Sequence, residues 1–413
     1  MKLKYFFVSL VFIGALSCDK NDDADYEFVQ VATPQLMSKT TFRSSVEVIA
    51  PKTIEEPGKI YVYQDYIFVG DVHSGIHIID NSDPKSPKAI KFIQIPGNED
   101  ISVKDNFLYA DSATDLVVFD ISDINNVSII EQLEDVFNVY NYDIPVEAEA
   151  VDYGKFDFDD DIIVGWTLTT ERRKKVDNTM DKALDDGVVL SAGAESTTGT
   201  GGSLARFQIV DNYLYTVGNY EMAIFNIQNL AEPVLSNTQY AGWNIETMFQ
   251  AEGYLYLGST NGMYIYNLVN PSSPEFVSDF THWEGCDPVV VDGDYAYLTL
   301  RGGNLCGQLE SVLEVIDISD KTNPTLAARY NLENPYGLGI KNNMLYVCDG
   351  TAGLKLFERE TSEDLRLVNS LKDIQAKDVI PLEKSLIMIG EKTLYQYEYI
   401  ENNIGLISSY MLN

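Results

Sequence analysis

Along most of the chain, short apolar runs, alternating or continuous, stop at a single Asp, Asn or Glu. Examples are GIHIIDNSDPKSP (75–87), DLVVFDISDINNV (115–127), EMAIFNIQNLAEP (221–233), GMYIYNLVNPSSP (262–274) and VLEVIDISDKTNP (312–324). GLKLFERETSEDL (353–365) and TLYQYEYIENNIG (393–405) follow the same pattern more loosely. A second apolar run precedes each copy, after a DN, DG or similar turn. Its anchor residues are Phe68, Tyr109, Tyr215, Tyr256, Tyr297, Tyr346 and Met388, with gaps of 41, 106, 41, 41, 49 and 42. Period-two runs bounded by such turns read as antiparallel hairpins. The terminal Asp or Asn is expected to accept from the backbone amides that follow, and Pro to fix the next turn. Four short strands per period of about 41 residues describe a propeller blade. The chain is therefore predicted to be all-β, a seven-bladed β-propeller with four-stranded antiparallel blades over residues 55–413.

Two stretches break the period. The gap of 106 holds an insertion at about 138–202, between blades 2 and 3. In it, FDFDDDIIVGWTLTT reads as strand, ERRKKVDNTMDKALDDG as a charged segment of helical character, and SAGAESTTGTGGS as a mobile stretch without apolar residues. The insertion reads either as a tolerated surface loop or as a lid or partner-binding arm. Asp157 and Asp159 to Asp161 lack the spacing of a calcium loop and read as a solvated acidic turn. At the other end, SSVEVIA (44–50) is a candidate extra strand closing the ring, although IGLISSYML already supplies blade 7 with a fourth strand.

The first residues have another pattern. Lys2 and Lys4 precede an apolar run from Tyr5 to Leu16, too short to span a bilayer and suited to a signal peptide over 1–17. Ala15 and Ser17 before Cys18 resemble a bacterial lipobox, which implies acylation of Cys18. An ordinary signal peptide with an incidental cysteine is the alternative. Residues 18–54 then form an acidic tether and N-terminal extension. The DKNDDAD after Cys18 resembles the surface-export signal of some Gram-negative lipoproteins, and implies an outer-membrane lipoprotein facing outward.

Charge narrows the partners. The formal net charge is -34, from 63 acidic and 29 basic residues. Such a surface repels phosphate backbones, so no nucleic acid is expected. The expected partners are the membrane, through the N-terminal lipid, and an envelope protein or glycan; the chain is expected to be a monomer. No phosphate loop, nucleophile elbow or CxxC occurs. His73 and His77, four apart in loop and strand, are too far apart to share a metal.

The repeats also resemble a known family. LEVID, LVVFD and IHIID followed by ISD or NSDP are similar to LVIVD repeats, carried by bacterial exported and surface β-propellers. IYVYQDYIFV, IPGNEDISVKDNFLYADS, GWNIETMF and CDPVVVDGDYAYLTLR look close to a lipoprotein subgroup of unassigned activity. The resemblance implies a fold and a location, but no substrate and no catalytic residues.

Superposing the repeats yields one candidate constellation. The residue ten before each anchor is Gly58, Glu99, Ala205, Glu246, Asp287, Tyr336 or Asp378. The four acids Glu99, Glu246, Asp287 and Asp378 fall where each innermost strand begins, at the mouth of the channel. Convergent carboxylates suit Ca2+ or a cationic ligand group; the alternatives are hydration, or pairing with Lys59, Arg206 and Lys377. No other cofactor is expected. The primary expectation is a non-catalytic binding or scaffolding protein; the alternative is a polysaccharide hydrolase or lyase using these acids. Among the cysteines, Cys286 and Cys306 are expected at one face of blade 5 and form the favoured disulfide. Cys348 is the rival partner for Cys306.

Overall fold

The computed structural model describes residues 26–137, 144–145, 147–174, 198–281, 288–302 and 310–412. Two compact units emerge. The larger comprises residues 37–142 and 184–413, and the smaller joins residues 1–36 to 143–183.

The larger unit is the propeller. Seven antiparallel sheets follow one another along the chain, each built on four strands in sequence order, with two further strands added to the first. Their innermost strands are Pro57–Tyr63, Ile101–Lys104, Phe207–Val210, Ile245–Ala251, Val289–Asp292, Leu338–Lys341 and Ala376–Pro381. Each touches the next, and the last touches the first, so the ring is closed. All four strands of blade 7 come from the C-terminal end of the chain, Asn403–Met411 being outermost. Closure therefore rests on side-chain packing at the seam with blade 1. Ile60, Ile67, Val69 and Ile79 of blade 1 form one buried cluster with Ile380, Ile387, Ile389 and Leu394 of blade 7. Three polar contacts add to it: Ser408 Oγ donates to the Pro84 carbonyl (2.6 Å), Gln396 Nε2 to Asn81 Oδ1 (2.6 Å), and the Ala89 amide to Tyr410 Oη (3.3 Å).

The repeat residues have identifiable structural tasks. Asp80, Asp120, Asn226, Asn267 and Asp317 each accept from the amide two residues on, at 2.8–3.1 Å, closing the turn into the fourth strand. The anchor tyrosines are buried and several reach into the following blade. Tyr109 Oη donates to the Leu230 carbonyl (2.8 Å), Tyr215 to Pro271 (2.7 Å) and Tyr297 to Ser362 (2.6 Å). Each bond ties the second strand of one blade to the outer turn of the next. Tyr256 Oη is buried with no hydrogen-bond partner among the described residues. Gly75 and Gly262 open the third strand of their blades with φ of 136° and 139°; a side chain at either would collide with a carbonyl of the fourth strand.

Glu47–Ile49, within SSVEVIA, is an extra strand, but it does not close the ring. It pairs antiparallel with Lys88–Gln94 on the outer edge of blade 1. The turn of helix before it, Lys39–Arg43, is fixed to blade 2: the Arg43 guanidinium makes two bonds to the buried Asp115 (2.6 and 2.9 Å) and reaches Asp135 (2.9 Å).

Blade 1 also gains a strand on its inner edge. Thr200 and Gly201, at the end of the insertion, pair antiparallel with Val62 and Tyr61. Thr198 bridges Lys104 of blade 2. The expectation of a mobile stretch over 191–203 does not hold for its last residues; its first part lies outside the described residues. The physical reason is the glycines. A side chain at Gly199 would strike the Tyr61 ring, and one at Gly202 the Asp378 carboxylate, so the backbone can approach this closely only where those two positions lack a Cβ.

The smaller unit is a three-stranded sheet in the order Ala150–Val151, Tyr26–Ser38, Asp161–Lys174. The expected strand in FDFDDDIIVGWTLTT is present and runs on through Lys174; the rest of the charged segment lies outside the described residues. Tyr26–Ser38 falls in the expected tether and N-terminal extension, yet it is the central strand here. Gln35 Nε2 donates to Thr167 Oγ1 (3.1 Å), and Thr170 Oγ1 to Gln30 Oε1 (3.2 Å), fixing two of the strands.

Candidate functional site at the channel mouth

Among the described residues that lead into the innermost strands, those of blades 2, 3 and 4 meet through one cation. Glu99 forms an ion pair with Arg206. The same guanidinium donates to the Glu246 carbonyl (3.3 Å), the Ile245 carbonyl (3.4 Å) and Asn219 Oδ1 (3.4 Å), so one cation spans blades 2, 3 and 4. Asp100 is buried; its Oδ2 accepts from the amides of Arg206 and Phe207 and lies 3.4 Å from Lys59 Nζ. Lys59 and Arg206, two of the three cations considered as alternatives to a bound ion, thus neutralise acids at this mouth.

Glu246 is half-buried. Burial pushes its carboxyl above the usual range, opposed by the charges of Arg206, Arg301 and Lys59. Arg301 itself lies over the Tyr336 ring at 4.2 Å, and Thr299 Oγ1 donates to the Tyr336 carbonyl (2.6 Å). Asp287, Cys286 and Cys306 lie outside the described residues. Cys348 is buried and free, and burial pushes its thiol up.

Asp378 differs from the others. It is 1% exposed. Its Oδ1 accepts from the Val379 amide (2.9 Å) and from Ser203 Oγ (3.4 Å), while Oδ2 has no hydrogen-bond partner among the described residues. Ser203 Oγ in turn accepts from the Leu338 amide (2.8 Å). Gly202 and Gly337 lie against the carboxylate so closely that a methyl at either would collide with it. Burial pushes the Asp378 carboxyl up to about 7, against the opposing bonds and Lys59. The insertion strand thus caps Asp378 and joins blades 1, 2, 6 and 7 across the channel. Sequence reasoning missed this strand. Its available signal was three glycines within four positions, Gly199, Gly201 and Gly202, which mark close backbone approach.

A second set of acids has a structural task. Asp71 Oδ1 accepts from the Glu55 and Glu56 amides (3.1 and 2.9 Å), and its Oδ2 meets Lys52 (3.1 Å) and the buried His77 (3.3 Å). Asp349 repeats the device with the Glu333 and Asn334 amides (3.0 and 2.7 Å). Burial alone would raise the Asp71 carboxyl, but His77, the Glu56 amide and Lys52 together bring it down to about 2. His77 is therefore part of a loop clamp. Among the described residues, no group of three His, Cys, Asp or Glu could hold a metal ion.

Comparison with known proteins agrees with this architecture. The LVIVD repeat family model matches residues 58–92, 98–134, 251–282 and 286–332. No curated protein sequence matches the chain. A crystal structure of a protein from Lactobacillus plantarum is 13% identical, with a TM-score of 0.53, covering 86% of this chain and 95% of that one. A functionally unknown protein from Desulfotomaculum acetoxidans is 7% identical (TM-score 0.48), covering 76% of this chain and 80% of its own. The computationally designed Ika8 protein is 7% identical (TM-score 0.48), with coverages of 89% and 90%. At such identities the first of these speaks for the fold alone. The chain carries LVIVD repeats in four segments, on a seven-bladed β-propeller.

Proposed function

We propose that the chain is a lipid-anchored cell-envelope propeller that acts as a non-catalytic binding or scaffolding protein. The observation that carries this reading is the segment of the insertion paired with the innermost strand of blade 1. Residues 198–203 run along the inner edge of blade 1 and touch blades 2, 6 and 7, and Glu99 and Asp100 are held by Arg206, Lys59 and backbone amides. Such a mouth offers a rigid, charge-patterned surface, and a rigid surface binds with little ordering cost. The lipid part of the reading rests on Lys2, Lys4, the apolar run 5–16 and the small residues before Cys18. A myristoyl-type single chain gives marginal attachment, so the anchor is expected to carry more than one acyl chain.

Two experiments test it. Cys18→Ala should move the protein from the membrane pellet to the soluble fraction and abolish incorporation of labelled fatty acid. Retention in the pellet, with no label in the wild type, contradicts the anchor. Affinity capture from envelope extracts, with and without Ca2+, should return a partner that Arg206→Ala loses.

A second reading, a polysaccharide hydrolase or lyase, is favoured by one feature: the raised Glu246 carboxyl, as a general acid requires. Turnover of an envelope glycan that disappears in Glu246→Gln would replace the binding reading with this one.

A further inference from the structure

In the smaller unit, the turn that leads into the long strand Asp161–Lys174 gathers aromatic side chains in the open. Phe158 is 76% exposed and Tyr153 44%. Phe156 and Phe158 have ring centroids 4.4 Å apart, and Tyr153 meets Phe156 at 6.4 Å and Trp166 edge-on at 5.9 Å. The four rings therefore form one continuous ridge. Single exposed apolar side chains are ordinary, whereas a contiguous patch marks an interaction site.

The backbone beneath the ridge is held in place. The Asp161 amide donates to the Asp157 carbonyl (2.8 Å), the Asp157 amide to Asp161 Oδ2 (3.3 Å), and the Asp159 amide to Asp157 Oδ1 (3.0 Å). A surface ordered in advance loses little entropy on binding.

Charge selects the occupant. Residues 152–161 carry five aspartates against the single cation Lys155. The side chains of Asp159 and Asp160 are exposed and make no hydrogen bond or ion pair with a described residue. Ring faces carry negative quadrupole density, so rings interleaved with carboxylates repel anions and attract cations twice over. The same unit displays this mode of contact within itself: the Arg172 guanidinium lies over the Tyr26 ring at 4.4 Å. A neutral glycan would stack on the rings but leave the carboxylate charge unused. An apolar peptide would bury acids without partners, at a cost.

We propose that the Tyr153–Phe156–Phe158 ridge, flanked by Asp159 and Asp160, docks a Lys/Arg-rich segment of another polypeptide. The ridge belongs to the smaller unit, and its role does not depend on what the channel mouth binds.

The test uses the full chain, isothermal titration calorimetry at physiological ionic strength, and three probes: hexa-arginine, hexa-glutamate and cellohexaose. Hexa-arginine should bind and the other two should not. Phe158→Ala should raise its Kd roughly tenfold, while Phe158→Tyr, which keeps the ring, stays within about twofold of wild type. Asp159→Asn with Asp160→Asn should weaken binding similarly. Asp83→Asn with Asp123→Asn removes the same charge from propeller turns while keeping their bonds to the following amides, and should leave the Kd unchanged. Near-ultraviolet circular dichroism checks that each variant is folded. The proposal is overturned by no hexa-arginine binding, by equal affinity in folded Phe158→Ala, by equal weakening in the Asp83/Asp123 variant, or by cellohexaose binding that Phe158→Ala abolishes.

Discussion

Replacing Asp378 by Asn should make the folded chain gain stability relative to the wild type as pH rises, with the full gain reached by pH 8. The wild-type carboxyl is buried beneath Gly202 and Ser203, and burial raises it from 3.8 to about 7. An acid raised in the folded state keeps its proton while the unfolded chain has already released it. Its contribution is therefore undiminished below about pH 4, declines as pH rises from 4 to 7, and is flat above 7. At 1.36 kcal/mol per tenfold change in acidity, the decline amounts to as much as about 4 kcal/mol. The amide of Asn retains an oxygen for the Val379 amide and carries no charge, so it removes the decline. Urea unfolding of both proteins should give a stability difference that grows in favour of the Asp378→Asn variant between pH 4 and 8 and levels off above it. Parallel stability curves across that range would refute the reasoning, because Asp378 would then ionise as readily folded as unfolded.

The remaining predictions concern the seams and the strand in the channel. Tyr297→Phe loses the bond to the Ser362 carbonyl and leaves the buried Arg359 guanidinium without this acceptor, so it should cost about 2 kcal/mol, while Tyr256→Phe should cost close to nothing, and urea titration of the pair separates them. Gly202→Ala should force residues 198–203 away from Asp378 and speed amide hydrogen exchange at Thr200 and Gly201, leaving exchange in blade 4 unchanged. Arg43→Ala leaves the buried Asp115 without its cation and should destabilise the chain by roughly 3 kcal/mol, read as a lower urea midpoint.

How much of this was legible in the sequence follows from how local each feature is. A blade is built from residues within about 41 positions of one another, so its hairpins and Asx turns leave a periodic trace that even GLKLFERE preserves. The smaller sheet pairs Val31 with Ala150, across a separation that no local pattern records. The segment 198–203 has no apolar residues, because close approach to Tyr61 and Asp378 asks for glycine at positions 199 and 202 and not for hydrophobicity. The mouth acids were visible by superposition, but their partners were only half visible. Arg206 stands beside Ala205 in sequence, yet it serves Glu99, 107 residues away, through the curvature of the ring. The extra strand Glu47–Ile49 was legible as a strand but not in its place, since the outer edge of blade 1 and the seam with blade 7 ask for the same short apolar pattern.

The central claim is that the insertion returns through the channel along blade 1, and a designed disulfide tests it most directly. Thr200 and Val62 are antiparallel register partners, and such pairs place their Cα atoms about 4.5–5.5 Å apart, within disulfide range. In Thr200→Cys with Val62→Cys, mild oxidation and peptide mapping should recover a linked pair containing residues 62 and 200, with circular dichroism unchanged. Two free thiols at these positions in a folded protein would contradict the account.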